Sequence, residues 1–274
     1  MNSVKDMLKV GKTAIGTTAS LTSPVDFLAD AGFDFILFDT QHDSVSIKEL
    51  KHQVQAMRGK KAIPIIRVGE NDQALICYAL DIGAKGIVVP MVNTREEAIK
   101  MVQWCRYPPE GLRSSAGIRG EWGEFKDYRE YMDAVNREVL IIPMIETVES
   151  IDNLDEILSV PGVDVLLVGP SDLSINLGIP LDYLNPKYGE ALKKISTACE
   201  RAGVTAGMYF IPGGQDPSLF VERGFRFFTL PWNKWAADGI RSGLGTVKRQ
   251  TRKVKRHPDS SSHGGKGTSD PRIS

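Results

Sequence analysis

Cysteine is scarce in this chain: Cys77, Cys105 and Cys199 are the only three in 274 residues, widely spaced and without a Cys-x-x-Cys pair. Neither a disulfide framework nor a thiolate zinc site is suggested, and a reducing cytoplasm is the expected setting. Only two histidines, His42 and His52, precede residue 257. There is no excess charge of one sign, since 34 Lys and Arg balance 34 Asp and Glu, and a globally basic nucleic-acid binder is excluded. No stretch approaches the ~18 consecutive apolar residues of a transmembrane helix. The opening MNSVKDMLKVGK lacks the apolar centre of a secretory signal. No Gly-x-Gly-x-x-Gly follows the first expected strand, which removes the usual dinucleotide-binding reading. What remains, with 42% hydrophobic residues, is enough apolar material to close one large core in a globular protein.

The neutral sum hides an asymmetry. Residues 248–274 hold eight Lys and Arg against Asp259 and Asp270, so this tail carries +6 and the body −6. From His257 onward Ile273 is the single large aliphatic residue, too little to offset the cost of ordering, and the segment is expected to be disordered. The run KRQTRKVKR is expected to be a solvated helix end rather than a nucleic-acid contact, having charge but no interleaved aromatics.

Residues 1–247 read as one domain in which short, β-branched apolar runs alternate with helical patterns, as parallel β/α units do. Eight strands are expected, at 13–19, 33–39, 63–68, 86–90, 139–146, 163–169, 205–210 and 225–230. Helix-like stretches such as NDQALICYALDIGA and TREEAIKMVQWC lie between them, and YGEALKKISTACERAG closes on a glycine suited to a left-handed helix end. Eight such units in this length describe a TIM (β/α)8 barrel.

In that fold the chemistry sits at the C-terminal ends of the strands. Strand 2 runs into Asp39 and His42, strand 3 ends at Arg67, strand 5 at Glu146, and strand 6 leads to Ser171 and Asp172. Two carboxylates from neighbouring strand ends, without thiolates or a histidine pair, suit a hard divalent ion that keeps several waters. The alternative makes Asp172 the N-cap of the next helix and Glu146 the partner of an arginine. Arg67 is either a clamp for a carboxylate or developing oxyanion, or a salt-bridge partner of Glu70 or another rim acid. His42, three residues past Asp39, has the spacing of a general base oriented by a carboxylate, a pattern that is weak by itself.

The segments FDFILFDTQH, IPIIRV, ALDIGAKGIVVPMV, RYPPEGLR and above all MIETVESIDNLDEILSVPGVDVLLVGPSDLS, from about Thr13 to about Gly245, resemble the HpcH/HpaI aldolases. These are metal-dependent class II aldolases acting on 2-keto-3-deoxy acids. The resemblance implies a homo-oligomer, commonly a hexamer, in which a divalent ion (Mg²⁺ or Mn²⁺, with Co²⁺ possible) binds pyruvate or its enolate. By motif it makes Glu146 and Asp172 the metal ligands, His42 the base with Asp39 beside it, and Arg67 the enolate-stabilising group. It gives Asp81 of LDIGA a role in supporting the histidine's basicity, and the backbone at Ser171 and Asp172 the substrate carboxylate, in keeping with exposed N–H groups at a helix start.

The chain departs from the family in three places. Gln41 stands where an acid is usual, Met144 where a Gln precedes the metal-binding Glu, and Ser114 where Arg113 would be followed by Gly. The segment AGIRGEWGEFKDYREY that follows is expected either to border the pocket, with Arg119, Trp122 and Tyr128 selecting the second substrate, or to pack between subunits. The implied reaction is reversible cleavage of a 4-hydroxy-2-keto acid to pyruvate and an aldehyde, with His42 taking the 4-hydroxyl proton. No lysine stands at a strand end, which argues against a Schiff-base aldolase. Two alternatives are an oxaloacetate decarboxylase, or macrophomate-synthase-like enzyme, using the same enolate, and a silent barrel binding a partner or nucleic acid through its basic tail. Retention of Asp39, His42, Arg67, Asp81, Glu146 and Asp172 together argues against the last; no nucleic acid and no membrane are expected as partners.

Overall fold

The computed structural model describes residues 2–254, and side chains as far as Lys248. Eight strands, β1 (Ala14–Ala19), β2 (Phe35–Asp39), β3 (Ile63–Arg67), β4 (Gly86–Val89), β5 (Leu140–Ile145), β6 (Val165–Val168), β7 (Thr205–Met208) and β8 (Phe225–Thr229), close into a barrel in sequence order, every pair parallel. All eight lie within the expected runs. Strands covered on both faces carry no polar alternation, so an unbroken apolar run marks them well. The interior is filled by Phe35, Leu37, Ile65, Val88, Ile142, Met144, Leu167 and Phe227. Phe35 and Phe227 stack at 4.2 Å, and a Cβ on Gly16 would stand 2.3 Å from the Phe35 ring, so only glycine leaves room for that pair.

The helices are α1 (Ser3–Lys9), α2 (Val25–Leu28), α3 (Lys51–Ala56), α4 (Gln73–Asp81), α5 (Arg95–Cys105), α6 (Tyr128–Glu138), α7 (Val148–Asp152), α8 (Leu154–Leu158), α9 (Pro170–Asn176), α10 (Pro186–Ala202), α11 (Pro217–Glu222) and α12 (Trp232–Val254). Their ends follow local chemistry. Asp72 caps α4, Thr94 and Glu97 form a capping box on α5, and α10 runs from Pro186 at its first position to Gly203 at φ 67°.

Helix α1 closes the N-terminal end of the barrel. Lys5 Nζ donates to Val139 O at 2.9 Å and pairs with Asp164 at 3.0 Å, while Asn2 Nδ2 donates to Lys85 O and Glu138 O, both at 2.9 Å. All four partners lie just before β4, β5 or β6, so this short helix is stitched across three strand entrances.

The link between α5 and α6 lies at the same end. Trp122 is buried under the ammonium of Lys85, 4.3 Å from its ring, and Tyr128 stacks on Tyr131 within a cluster that includes Tyr107 and Phe125. Arg119 donates to Asp81 O and Ala116 O. The expectation that Arg119, Trp122 and Tyr128 border the pocket is therefore not met within this chain. Trp122 and Tyr128 pack within the chain at the end away from the strand C-termini, and Arg119 lies exposed at that end on two backbone carbonyls.

The chain divides into two compact units between Pro231 and Trp232. Helix α12 continues through 247 into the basic run, because Lys248, Arg249, Gln250 and Arg252 are all good helix formers. Its Ile240 and Leu244 are exposed. The disorder expected from His257 onward lies outside the described residues. Among the described residues no helix is long and apolar enough to cross a membrane.

Candidate active site

Strand β5 delivers Glu146 to the C-terminal mouth of the barrel, where the side chain is only 2% exposed. Its Oε2 accepts the Met91 N–H at 2.8 Å, and Met91, just past β4, presents that N–H from a left-handed backbone at φ 54°. Such a conformation is uncommon for a residue with a side chain and is a local cost. Burial pushes the Glu146 carboxyl above the ordinary range; the negative charge of Asp172 adds to this, while the Met91 N–H and the charge of Arg67 oppose it. Gly169 makes the carboxylate's seat, since a Cβ there would stand 2.3 Å from Glu146 Oε1.

Asp172 is the third residue of α9. Gly169, not Asp172, is the N-cap of this helix, so the capping alternative for Asp172 is overturned. Among the described residues neither Asp172 carboxylate oxygen has a hydrogen-bond or ion-pair partner. Ser171 and Asp172 are the second and third helical residues, so their N–H groups have no intrahelical acceptor.

Arg67, 3% exposed, ends β3 directly across the β2–β3 register from Asp39. Its Nε donates to Asp39 Oδ1 at 2.8 Å and its Nη2 to Oδ2, a two-bond fork that answers the rim-acid alternative with Asp39 rather than Glu70. The arginine partner proposed for Glu146 is thus committed elsewhere. Burial would raise the Asp39 carboxyl, but the two hydrogen bonds and the charge of Arg67 outweigh it and hold Asp39 below the usual range. The remaining donor edge of Arg67 has Nη1 3.8 Å from Met144 Sδ, and its guanidinium lies over the Tyr209 ring at 4.3 Å.

His42 sits exposed in the loop after β2. Asp39 does not hydrogen-bond it: beyond Arg67, that carboxylate accepts the Gln41 N–H at 2.9 Å, and His42 reaches it only through charge. The orienting bond read from Asp-x-x-His is therefore replaced by the Asp39–Arg67 fork. Asp81 is not brought to the site at all. It ends α4, at the strand-entrance end of the barrel, where its carboxylate pairs with Arg113 at 3.1 Å.

Several residues that form the mouth were not singled out from the sequence. Tyr209 and Phe210 follow β7, and Tyr183 joins them edge to face, with its hydroxyl 3.3 Å from Ser171 Oγ. The signal was available, because TAGMYF ends its strand on two aromatics.

The donor set fits a hard divalent cation. A buried carboxylate beside a second one without a partner needs positive charge, and both offer oxygen. Among the described residues no group of three or more His, Cys, Asp and Glu converges, so water or substrate would complete the coordination shell.

The model of the HpcH/HpaI aldolase/citrate lyase family matches residues 18–234. The hydroxypyruvate/pyruvate aldolase of Roseobacter denitrificans is 33% identical over 232 residues, 84% of this chain and 90% of that one. The 2-keto-3-deoxy-L-rhamnonate aldolase of Klebsiella pneumoniae is 36% identical over 248 residues, covering 90% of this chain and 88% of the relative. A crystal structure of an HpcH/HpaI aldolase/citrate lyase family protein from Burkholderia cenocepacia superposes with a TM-score of 0.80 at 29% identity, over 90% of this chain and 100% of that one. With the barrel closed and the strand-end acids in place, this chain belongs to the HpcH/HpaI aldolase/citrate lyase family, a family of carbon–carbon lyases.

Proposed function

We propose that the chain is a divalent-cation-dependent aldolase that reversibly cleaves a 4-hydroxy-2-keto acid to pyruvate and an aldehyde. The observation that carries this reading is the buried Glu146 facing Asp172 while the nearby cation, Arg67, is committed to Asp39. Glu146 and Asp172 would hold Mg²⁺ or Mn²⁺, with Co²⁺ a third choice. A divalent ion bound there supplies Lewis-acid polarisation of the keto group.

The chain's own groups do the rest. The N–H groups at Ser171 and Asp172 receive the substrate carboxylate at the start of α9. Arg67 has two N–H groups on Nη1 and one on Nη2 not taken by Asp39, and these meet the oxygen on which charge develops as C3–C4 breaks. His42, exposed at the rim, takes the 4-hydroxyl proton from the departing aldehyde and returns one in the reverse direction. Asp81 lies at the opposite end of its own barrel, so the support for the histidine that the family resemblance implies is exercised across a subunit boundary. That requires a homo-oligomer, and a hexamer is the proposed assembly. Three free cysteines, two of them buried, suit a cytoplasmic enzyme.

The test is chelation. EDTA treatment abolishes turnover of a 4-hydroxy-2-keto acid, and Mg²⁺, Mn²⁺ or Co²⁺ restores it. His42→Ala lowers kcat by about 10²- to 10⁴-fold with metal affinity unchanged. Full activity after exhaustive chelation, or covalent capture of pyruvate by borohydride, overturns the mechanism. Oxaloacetate, whose loss of CO₂ gives the same enolate, is assayed alongside; turnover of oxaloacetate alone replaces the aldolase reading with a decarboxylase.

A further inference from the structure

The guanidinium of Arg67 is fixed along one edge only. Asp39 holds Nε and Nη2, whereas the opposite edge ends at Nη1, whose near neighbour is the Met144 thioether at 3.8 Å. A thioether is a weak acceptor, so it sets no firm orientation. A guanidinium held at one edge can still tilt about it, and tilting moves Nη1 away from any oxygen it must meet.

We propose that Tyr209 is a positioning residue for Arg67, its ring face supplying the second restraint that the thioether at position 144 does not. The inference rests on reading Arg67 as the group that meets the enolate oxygen. The ring centroid lies 4.3 Å from Arg67 Cζ, the face-on geometry of a cation–π contact. The ring is itself held. The Tyr209 N–H donates to Val168 O at 2.9 Å, continuing the β6–β7 ladder past the last strand residue. Phe210 meets Tyr209 edge to face at 6.5 Å, Tyr183 meets Phe210 at 6.2 Å, and Tyr183 in turn packs on Tyr188 at 5.4 Å, which is buried in α10. A run of rings thus links the guanidinium to a rigid helix, and through the Tyr183 hydroxyl to Ser171 at the start of α9. Among the described residues the Tyr209 hydroxyl has no hydrogen-bond partner, so the face of the ring makes the contact. Burial pushes the phenol up to about 12 although Arg67 opposes this, and the ring stays neutral at working pH.

The experiment uses the full chain and two readouts. The first is Mg²⁺- or Mn²⁺-dependent exchange of pyruvate methyl protons with D₂O, which needs no aldehyde. Tyr209→Leu slows exchange about 10- to 100-fold in kcat, with the KM for pyruvate within about threefold, because orientation matters most as charge develops. Tyr209→Phe, which keeps the ring, retains the rate to within about threefold, and adding Met144→Gln to the Tyr209→Leu variant recovers part of the loss by giving Nη1 a firm acceptor. The second readout is the ¹⁵N-resolved Arg67 Nε–H resonance in metal-free protein, identified by its absence in Arg67→Lys. It carries a ring-current shift in the wild type and in Tyr209→Phe and loses it in Tyr209→Leu. A Leu variant with wild-type exchange or an unmoved Arg67 resonance overturns the proposal, as does a Phe variant as slow as the Leu one. Absence of exchange in the wild type with every divalent ion would sink the aldolase reading, and the Arg67 resonance would still decide the role of Tyr209.

Discussion

Each end of the barrel holds a carboxylate largely withdrawn from solvent, Glu146 buried and Asp164 half-buried, and they answer its charge differently. At the strand entrances Asp164 meets Lys5 at 3.0 Å and also accepts the Ile141 N–H at 3.0 Å. At the strand exits Glu146 receives one backbone N–H and faces Asp172. Burial raises the carboxyl in both cases. At the entrances the counter-charge comes from the same chain. At the exits two carboxylates converge and the nearby arginine is already paired, so the missing charge is left for a ligand to supply. The Lys5–Asp164 pair is not itself a source of net stability, since burial lowers Lys5 and raises Asp164 by more than their mutual attraction offsets. Its benefit is fixing α1 across three strand entrances, a structural task with no chemistry attached.

Gly169→Ala breaks the comparison from the exit side. The backbone at φ −93° accepts alanine, but the new Cβ would stand 2.3 Å from Glu146 Oε1 and must displace the carboxylate. A displacement of this size costs about 10²-fold in kcat/KM, with metal affinity reduced, while the thermal midpoint changes little. Steady-state kinetics and metal titration check it; full activity would mean that the Glu146 position is not critical.

Lys5→Met breaks it from the entrance side. Removing one member of a buried pair leaves Asp164 uncompensated and costs about 3 kcal/mol of stability, measured by urea unfolding. The kcat of the folded variant is unchanged. A loss of kcat would show that the two ends are coupled and that the division of labour is wrong.

Asp39→Asn sharpens the contrast within the exit end, because Asp39 serves both stability and chemistry. Its carboxyl is held below the ordinary value, so its contribution is present above the unfolded value and is lost as pH falls through the lower folded one. The variant is therefore less stable by about 2 kcal/mol near neutral pH, and the difference from wild type closes only as the medium is acidified below about pH 4. The variant is slower as well, Arg67 having lost its fork. A stability difference that persists undiminished into strong acid would show that the ion pair is not its source.

The barrel was legible because each strand is a short apolar run buried on both faces, a signal carried by consecutive residues. The strand-end acids were legible for the same reason: Glu146 interrupts such a run, and Asp172 follows the next. What escaped depends on register and on backbone geometry. Asp39 and Arg67 are paired across β2 and β3, 28 residues apart, and local spacing pointed instead to His42. Tyr209 reaches Arg67 across the barrel mouth from β7. The α5–α6 segment was read either as a pocket wall or as subunit packing, although a link that follows a helix and precedes β5 belongs by barrel topology to the strand-entrance end, away from the pocket.

The smallest expected effect concerns Met91, whose strained backbone is the one protein donor on Glu146 among the described residues. Its side chain is 42% exposed, so little packing is lost on removing it. Met91→Gly relieves a left-handed residue of its Cβ, which favours the folded state by about 1 kcal/mol, offset in part by the greater freedom of glycine in the unfolded chain. The thermal midpoint is expected to hold or rise slightly, whereas kcat falls several-fold because a freer backbone no longer fixes the N–H against Glu146 Oε2. A rise in stability with a fall in rate would show that strain is kept at the exit end for the sake of the site. A fall in both would mean that the Met91 side chain stabilises the chain in a way its exposure does not reveal, and that this backbone conformation serves the fold rather than the chemistry.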